Sequence, residues 1–111
     1  MVSRPPQPDE VWLVTLDPTR GAEINKTRPC VVISPEEMNE HLKTVIVAPL
    51  TTVTRSYPTR IDVRFQGKRG QIALDQLRTV DRQRLLRRLG AIPAGAAQAA
   101  SDTLVEMFSR P

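Results

Sequence analysis

The chain has 111 residues, a length that suits one domain with one modest core. Its single cysteine, Cys30, excludes a disulfide framework and fits a protein of the reducing cytoplasm. No apolar run approaches the roughly 20 residues that span a bilayer, and no signal-like segment opens the chain. We therefore expect neither secretion nor contact with a membrane.

Charge is distributed unevenly along the chain. Residues 1–50 carry five basic and seven acidic side chains, net −2, whereas residues 51–90 carry ten basic and three acidic, net +7. Thirteen of the sixteen cations are arginine, whose guanidinium binds phosphate oxygens with two donors at once. This composition favours a polyanionic partner such as nucleic acid, with a solvated charged face as the alternative.

The first third of the chain predicts two buried strands and a short helix. Residues 1–9 are proline-rich and are predicted to be a flexible segment, which leaves 10–111 as a single domain. Strands are predicted from near Glu10 to Leu16 and from Cys30 to Ile33. Ser34-Pro-Glu-Glu37 has the pattern of a capping box with proline at the first helical position, so a helix is expected to about Leu42.

The rest of the chain predicts further strands and a final helix. Strands are expected at 44–50, 59–65, 71–74, 77–80 and 85–92, with a hydroxyl-rich loop at 51–58, a five-residue hairpin connection at 66–70 and a helical turn at 81–84. A helix is expected at 94–109, with an apolar face of Ala97, Ala100, Leu104 and Phe108. These elements predict a mainly β protein with α (α+β), folded as a small, strongly bent antiparallel sheet or barrel.

Arg28 lies where a polar loop meets the second apolar run. Pro29 fixes its own φ and biases Arg28 toward extended backbone, so the guanidinium leaves the chain in a defined direction. Such a position suits an anion-binding or catalytic group. The cluster Arg82, Arg84, Arg87 and Arg88 is either a phosphate track or a charged edge.

Six blocks in order resemble the MazF/PemK toxins of bacterial type II toxin-antitoxin pairs. They are Val11-Trp-Leu-Val14, Leu16-Asp-Pro-Thr-Arg-Gly-Ala-Glu23, Lys26-Thr-Arg-Pro29 with Val31-Val-Ile-Ser34, Pro49-Leu-Thr-Thr52, Tyr57-Pro58 and Asp75-Gln-Leu-Arg-Thr-Val-Asp81. The resemblance implies an SH3-like barrel shared with the CcdB toxins and a homodimer. It also implies a cognate, MazE-like antitoxin and an mRNA interferase that cleaves single-stranded RNA at short sequences.

The resemblance assigns catalytic roles to four residues: Arg28, Thr51, Asp75 and Glu23. Arg28 and Thr51 are expected on neighbouring strand ends, where they can face one phosphate. Ala73 stands where the PemK/Kid branch has an arginine, so Asp75 is either a proton acceptor or a turn-stabilising carboxylate. Glu23 contacts either RNA or solvent. RNA contacts are expected from Arg20, Lys26, Thr52, Arg55, Tyr57, Gln76 and Arg78, with Tyr57 as a base-stacking ring.

The expected chemistry uses no cofactor and no metal. RNA cleavage of this kind takes the substrate's 2′-hydroxyl as nucleophile, so the protein must accept its proton and stabilise the charge that develops on the phosphate. His41 and Cys30 are alone of their kind, so the sequence contains no spaced set of metal ligands. Two alternatives remain at this point: a CcdB-like topoisomerase inhibitor and a non-catalytic nucleic-acid-binding barrel.

Overall fold

A computed structural model describes residues 4–111. The elements in chain order are β1 (Glu10–Thr15), β2 (Thr27–Val32), α1 (Glu36–His41), β3 (Thr44–Thr51), β4 (Arg60–Phe65), β5 (Lys68–Ala73), β6 (Arg78–Asp81), β7 (Leu85–Ala91) and α2 (Ala94–Phe108). Short 3₁₀ turns occupy Leu74–Gln76 and Arg82–Arg84. The predicted fold class is confirmed: an antiparallel β structure with a short inserted helix and a C-terminal helix.

The strands form one antiparallel path in the order β4-β5-β3-β2-β1-β7, and β6 pairs with the first half of β3. The two ends of this path approach each other, since Gln66 Nε2 donates to the Leu89 carbonyl at 3.3 Å. The ring of Phe65 also lies against Gly90. The sheet is therefore strongly coiled into a half-barrel.

Two apolar clusters form, one on each face of β2 and β3. Val31 and Ala48 belong to the first cluster, whereas Cys30, Val32 and Val47 belong to the second. Because successive residues of a strand face opposite sides, burial on both sides makes these segments continuously apolar rather than alternating. Ala100 of α2 is buried in the first cluster, so the C-terminal helix covers that face.

The segment predicted to be flexible, residues 1–9, lies partly outside the described chain, which begins at residue 4. Within the rest of this segment Pro6 is buried, and its carbonyl accepts a hydrogen bond from Asn39 Nδ2 at 2.8 Å. The amide of Asp9 donates to the Val32 carbonyl at 2.9 Å. These contacts attach the segment to α1 and β2. No helix within residues 4–111 is long and apolar enough to cross a membrane.

The capping box predicted at Ser34 is wrong. Pro35, not Ser34, is the N-cap of α1, and no side chain caps the helix. The buried Ser34 hydroxyl instead bonds the Asn39 side chain and accepts from the Ile46 amide. Tertiary partners therefore compete successfully for a hydroxyl that the local pattern assigns to the helix end.

The predicted five-residue hairpin connection and the predicted place of Phe108 are also wrong. The turn contains only Gln66 and Gly67, both with positive φ (51° and 77°), as a two-residue turn that matches the twist of the strands requires. Phe108 is the last residue of α2 and is 70% exposed, while the neighbouring Met107 packs against the core.

Candidate active site

Strand register places three polar side chains in a row across β3, β5 and β4, and Arg28 of β2 lies beside the row. Gln71 of β5 lies opposite Thr51 of β3 on one side and opposite Asp62 of β4 on the other. The pairing of β2 with β3 ends at Cys30 and Pro49, two residues short of Arg28 and Thr51, and the latter two both line one cleft. Opposed residues of antiparallel strands share a face. The expected proximity of Arg28 and Thr51 is therefore present, and Gln71 extends the row.

A cleft of about 250 Å³ opens beside Arg28 and Thr51. Thr52 also lines it, and the β4–β5 hairpin forms the opposite wall with Lys68, Arg69 and Gly70. Three cations therefore surround one cleft, which favours an anion there. Lys68 and Arg69, predicted as part of a hairpin connection, are the first two residues of β5, and two adjacent cations beside a hairpin turn are a recognisable sequence signal for an anion site.

Arg28 is the second residue of β2 rather than a residue at the junction of loop and strand. Its Nε donates to the Asn25 carbonyl at 2.7 Å, which fixes the plane of the guanidinium. No acceptor among residues 4–111 bonds its Nη atoms. The side chain is thus held at one edge and keeps its remaining donors for a ligand.

Thr51 is nearly buried, with 7% of its surface exposed. Its Oγ1 accepts a hydrogen bond from the Val53 amide at 3.1 Å. Because a hydroxyl also has a proton to donate, this contact leaves Thr51 able to donate to an oxygen in the cleft.

A second cavity, of about 290 Å³, brings together Glu23, Asp75, Gln76 and Arg78, four of the residues that the resemblance singles out. It adjoins the first, because Pro49 lines it and the next two residues of β3, Leu50 and Thr51, line the first cleft. Burial raises the pKa of the Cys30 thiol to about 12, although the guanidinium groups of Arg78 and Arg28 oppose that shift, so Cys30 is a neutral core side chain.

Asp75 is held by an arginine that sequence analysis did not single out. Arg60 Nε and Nη2 donate to its two carboxylate oxygens at 2.7 and 3.1 Å, and Thr59 Oγ1 donates to Oδ1 at 3.1 Å. The hydrogen bonds from Arg60 hold the pKa of Asp75 below its usual range. Arg60 pairs in register with Ala73. Residue 73 is alanine and has no guanidinium, so Asp75 receives one from Arg60 on β4 instead.

Gln76 and Arg78 both bind the backbone of the β1–β2 loop. Gln76 Oε1 accepts from the Ile24 amide at 3.2 Å, and Arg78 Nη1 donates to the Leu16 carbonyl at 3.2 Å. Glu23 Oε1 accepts from the Arg20 amide at 2.6 Å. These contacts give the loop a defined shape, and Arg20 and Lys26 are exposed on it.

The remaining expected RNA contacts, Arg55 and Tyr57, lie on the exposed loop between β3 and β4. The guanidinium of Arg60 lies 5.2 Å from the centroid of the Tyr57 ring, a cation–π contact that orients it. Two arginines of the cluster near β7 make contacts within the fold: Arg84 donates to the Thr15 carbonyl, and Arg88 forms an ion pair with Glu10. Within residues 4–111 no three His, Cys, Asp or Glu side chains gather as a metal site would require.

The half-barrel and the cleft lined by Arg28, Thr51 and two further cations define a small antiparallel β domain with a cationic surface cleft. Residues 7–108 match the family described as PemK-like, MazF-like toxin of type II toxin-antitoxin system. The chain belongs to this toxin family.

Two relatives illustrate the similarity. The endoribonuclease toxin MazF of Escherichia coli strain K12 is 35% identical over 82 residues, covering 72% of this chain and 73% of that protein. The endoribonuclease PemK of Escherichia coli is 34% identical over 77 residues, covering 65% of this chain but only 58% of the length of PemK.

Solved structures share the fold. MazF from Deinococcus radiodurans superposes with a TM-score of 0.84 at 23% identity, covering 96% of this chain and 98% of that one. A MazE–MazF structure from the same organism gives a TM-score of 0.79 at 20% identity, covering 98% of this chain and all of the matched one.

Replacing Gly70 by alanine should destabilise the protein by about 1–3 kcal/mol, the usual effect of overpacking. A Cβ at this position would lie 2.7 Å from the Thr51 carbonyl oxygen, so β3 or β5 must move. Gly95→Ala is the matched control, because nothing lies within 4 Å of its Cβ position. Urea unfolding of both variants measures the difference, and equal stability would contradict the close approach.

Asp75→Asn should lower the free energy of unfolding at pH 7 by about 1 kcal/mol, as expected for a well-aligned ion pair that is partly exposed. Because the folded-state pKa of Asp75 is depressed, its stabilisation is present above the unfolded value near 4 and is lost as pH falls through the folded value. Unfolding measured from pH 7 to pH 2 should show the two proteins converging in acid. A constant difference over that range would refute this account, and Asp102→Asn serves as the control.

Proposed function

We propose that this endoribonuclease toxin cleaves single-stranded RNA at short, specific sequences, using the RNA 2′-hydroxyl as nucleophile and no metal ion. The observation that carries the proposal is that Arg28 and Thr51 line one cleft, which Lys68 and Arg69 also line. The names of the relatives, endoribonuclease MazF and endoribonuclease PemK, support the class of reaction.

Cleavage requires stabilisation of charge on the phosphate, removal of the 2′-hydroxyl proton and protonation of the 5′-oxygen as its bond to phosphorus breaks. Residues of the protein are suited to the first two steps, and the third proton is assigned to water. Attack by the 2′-hydroxyl develops negative charge on the phosphate oxygens, and the preoriented guanidinium of Arg28 stabilises that charge. Thr51 donates its hydroxyl proton to a second phosphate oxygen. Both residues act as electrostatic donors that are already in place before the charge forms.

Proton removal is assigned to Glu23 rather than to Asp75. Three donors from Arg60 and Thr59 already occupy the Asp75 carboxylate, and its depressed pKa makes it a weak base. Glu23 accepts only the Arg20 amide among the described residues, which leaves one carboxylate oxygen to accept a proton. Asp75 then serves to anchor Arg60, and through Arg60 the Tyr57 ring.

RNA binding is assigned to the exposed cations and the aromatic ring around the two cavities. Tyr57 is 49% exposed, so one base can stack on the ring face that Arg60 does not cover. Phosphates on either side of the cut site are neutralised by Arg20, Lys26 and Arg55, with Thr52 at the cleft. Gln76 and Arg78 contribute by holding the β1–β2 loop that presents Arg20 and Lys26.

The proposed partners are a second copy of the chain and a MazE-like antitoxin, and the proposed compartment is the cytoplasm. Solved relatives include a MazE–MazF complex and an endoribonuclease with its cognate antitoxin, which supports the antitoxin. Large apolar side chains exposed on β7 and α2, Leu86, Val105 and Phe108, are suited to burial in such interfaces. A topoisomerase inhibitor would not require Arg28 and Thr51 in one cleft, so that arrangement favours the nuclease.

Arg28→Ala should reduce RNA cleavage by about a hundred- to a thousandfold while the fold is retained, because one preoriented charge donor is lost. Arg110→Ala, at the exposed C-terminus, provides the matched control. Initial rates on a labelled RNA and thermal melting of all three proteins give the comparison. Cleavage by folded Arg28→Ala at the wild-type rate would exclude the assigned role.

Cleavage in EDTA should match cleavage in magnesium, and the downstream fragment should carry a 5′-hydroxyl. Replacing the ribose at the cut site by deoxyribose removes the nucleophile, so that substrate should remain intact while a deoxy substitution several nucleotides away is tolerated. Gel separation and end-group analysis report both results. Cutting at the deoxy position would show that another nucleophile, such as water, is used.

A further inference from the structure

The loop between β3 and β4, residues 52–58, joins the two proposed RNA-binding regions but has no regular secondary structure. All seven residues are exposed, so little apolar burial holds the loop in place. It nevertheless carries Thr52, Arg55 and Tyr57, which must meet RNA in a fixed arrangement. Something other than burial has to define its conformation.

Thr51 and Arg60 hold the two ends of the loop, through the Val53 amide and the Tyr57 carbonyl, and the side chain of Gln71 restrains its middle. Its Oε1 accepts from the Arg55 amide at 2.9 Å, and its Nε2 donates to the Arg55 carbonyl at 3.1 Å. A single amide thereby pairs with both backbone groups of one loop residue, as a neighbouring strand would. Nε2 also donates to Asp62 Oδ1 at 3.0 Å, which fixes the orientation of the amide.

Gln71 is also buried, with 6% of its surface exposed, and lies opposite Thr51 in the pairing of β3 with β5. One residue therefore borders the proposed catalytic threonine and restrains the loop that follows it. The contacts go to the Arg55 backbone, so the Arg55 side chain is left for the ligand. The hydrogen bonds that hold the loop therefore do not use the side chain that the loop offers to RNA.

We propose that Gln71 is a positioning residue for RNA binding, which holds the 52–58 loop through the backbone of Arg55 so that Arg55 and Tyr57 face the substrate. The inference rests on the proposed RNA-cleaving function. It assigns Gln71 to substrate affinity rather than to the chemical step.

Gln71→Leu should raise KM for RNA by about tenfold and change kcat by less than about twofold, because the two hydrogen bonds that hold the Arg55 backbone are lost while Arg28 and Thr51 remain. Gln98→Leu is the matched control, since Gln98 is an exposed glutamine on α2. Arg55→Ala should also raise KM in the wild-type background but add little in the Gln71→Leu background. Independent, fully additive effects of the two changes would overturn the proposal.

Release of the loop can be measured without RNA, because the peptide bond after Arg55 is a trypsin site. Gln71→Leu should be cut there faster than wild type, giving fragments 1–55 and 56–111 by mass spectrometry. Faster cutting with an unchanged KM would overturn the role in RNA binding, and unchanged cutting would overturn the restraint itself. If the wild-type protein does not cleave RNA, the proposed function fails, while the trypsin result still tests the loop.

A second pair of variants, which exchanges the hydrogen-bond donor and acceptor at positions 71 and 62, tests the proposal if Gln71→Leu does not fold. Gln71→Glu sets two carboxylates against each other across β4 and β5 and should release the loop. Adding Asp62→Asn gives the introduced carboxylate an amide donor and should restore part of the lost affinity and of the resistance to trypsin. If the double variant is no better than Gln71→Glu in either KM or resistance to trypsin, the hydrogen-bond network of Gln71 with Arg55 and Asp62 is refuted.

Discussion

The pairing of β3 with strands along both of its edges is the constraint on which the site depends. On one edge β3 pairs with β2, and on the other it pairs with β6 along its first half and with β5 at its end. A slip of one residue in any of these pairings would turn Thr51 to the opposite face. Because both faces of β3 pack against apolar clusters, such a slip would replace fitted side chains on each face by ones of different size and shape.

Arginine serves two purposes in this protein, and the acceptors in the structure distinguish them. Arg78, Arg82 and Arg84 each donate to backbone carbonyls of distant segments and so connect parts of the fold. Arg60 is paired with a carboxylate and is 8% exposed. Arg28, by contrast, keeps donors available beside a cleft. A count of cations therefore overstates the surface offered to RNA, since several guanidinium groups are already engaged.

Neighbouring residues of the β4–β5 hairpin contribute both to the stability of the fold and to the proposed RNA-binding site. Gly70 allows the backbone of Thr51 to approach closely, Gln71 restrains the next loop, and Lys68 and Arg69 border the cleft. The hairpin therefore lines one side of the cleft and also packs against Thr51, which lies in the cleft. Substitutions here are expected to affect folding and RNA binding together, unlike changes in α2 far from the cleft.

Sequence alone determined the order and approximate limits of the strands and helices, because apolar periodicity and turn residues act locally. It also singled out Arg28 and Thr51 as neighbours through their resemblance to a family. Only the tertiary structure decided that Arg60 reaches Asp75, that Gln71 holds Arg55 and that the Ser34 hydroxyl accepts from the Ile46 amide of β3. These contacts join residues whose separation depends on strand register, and register is set by long-range packing that no local pattern encodes.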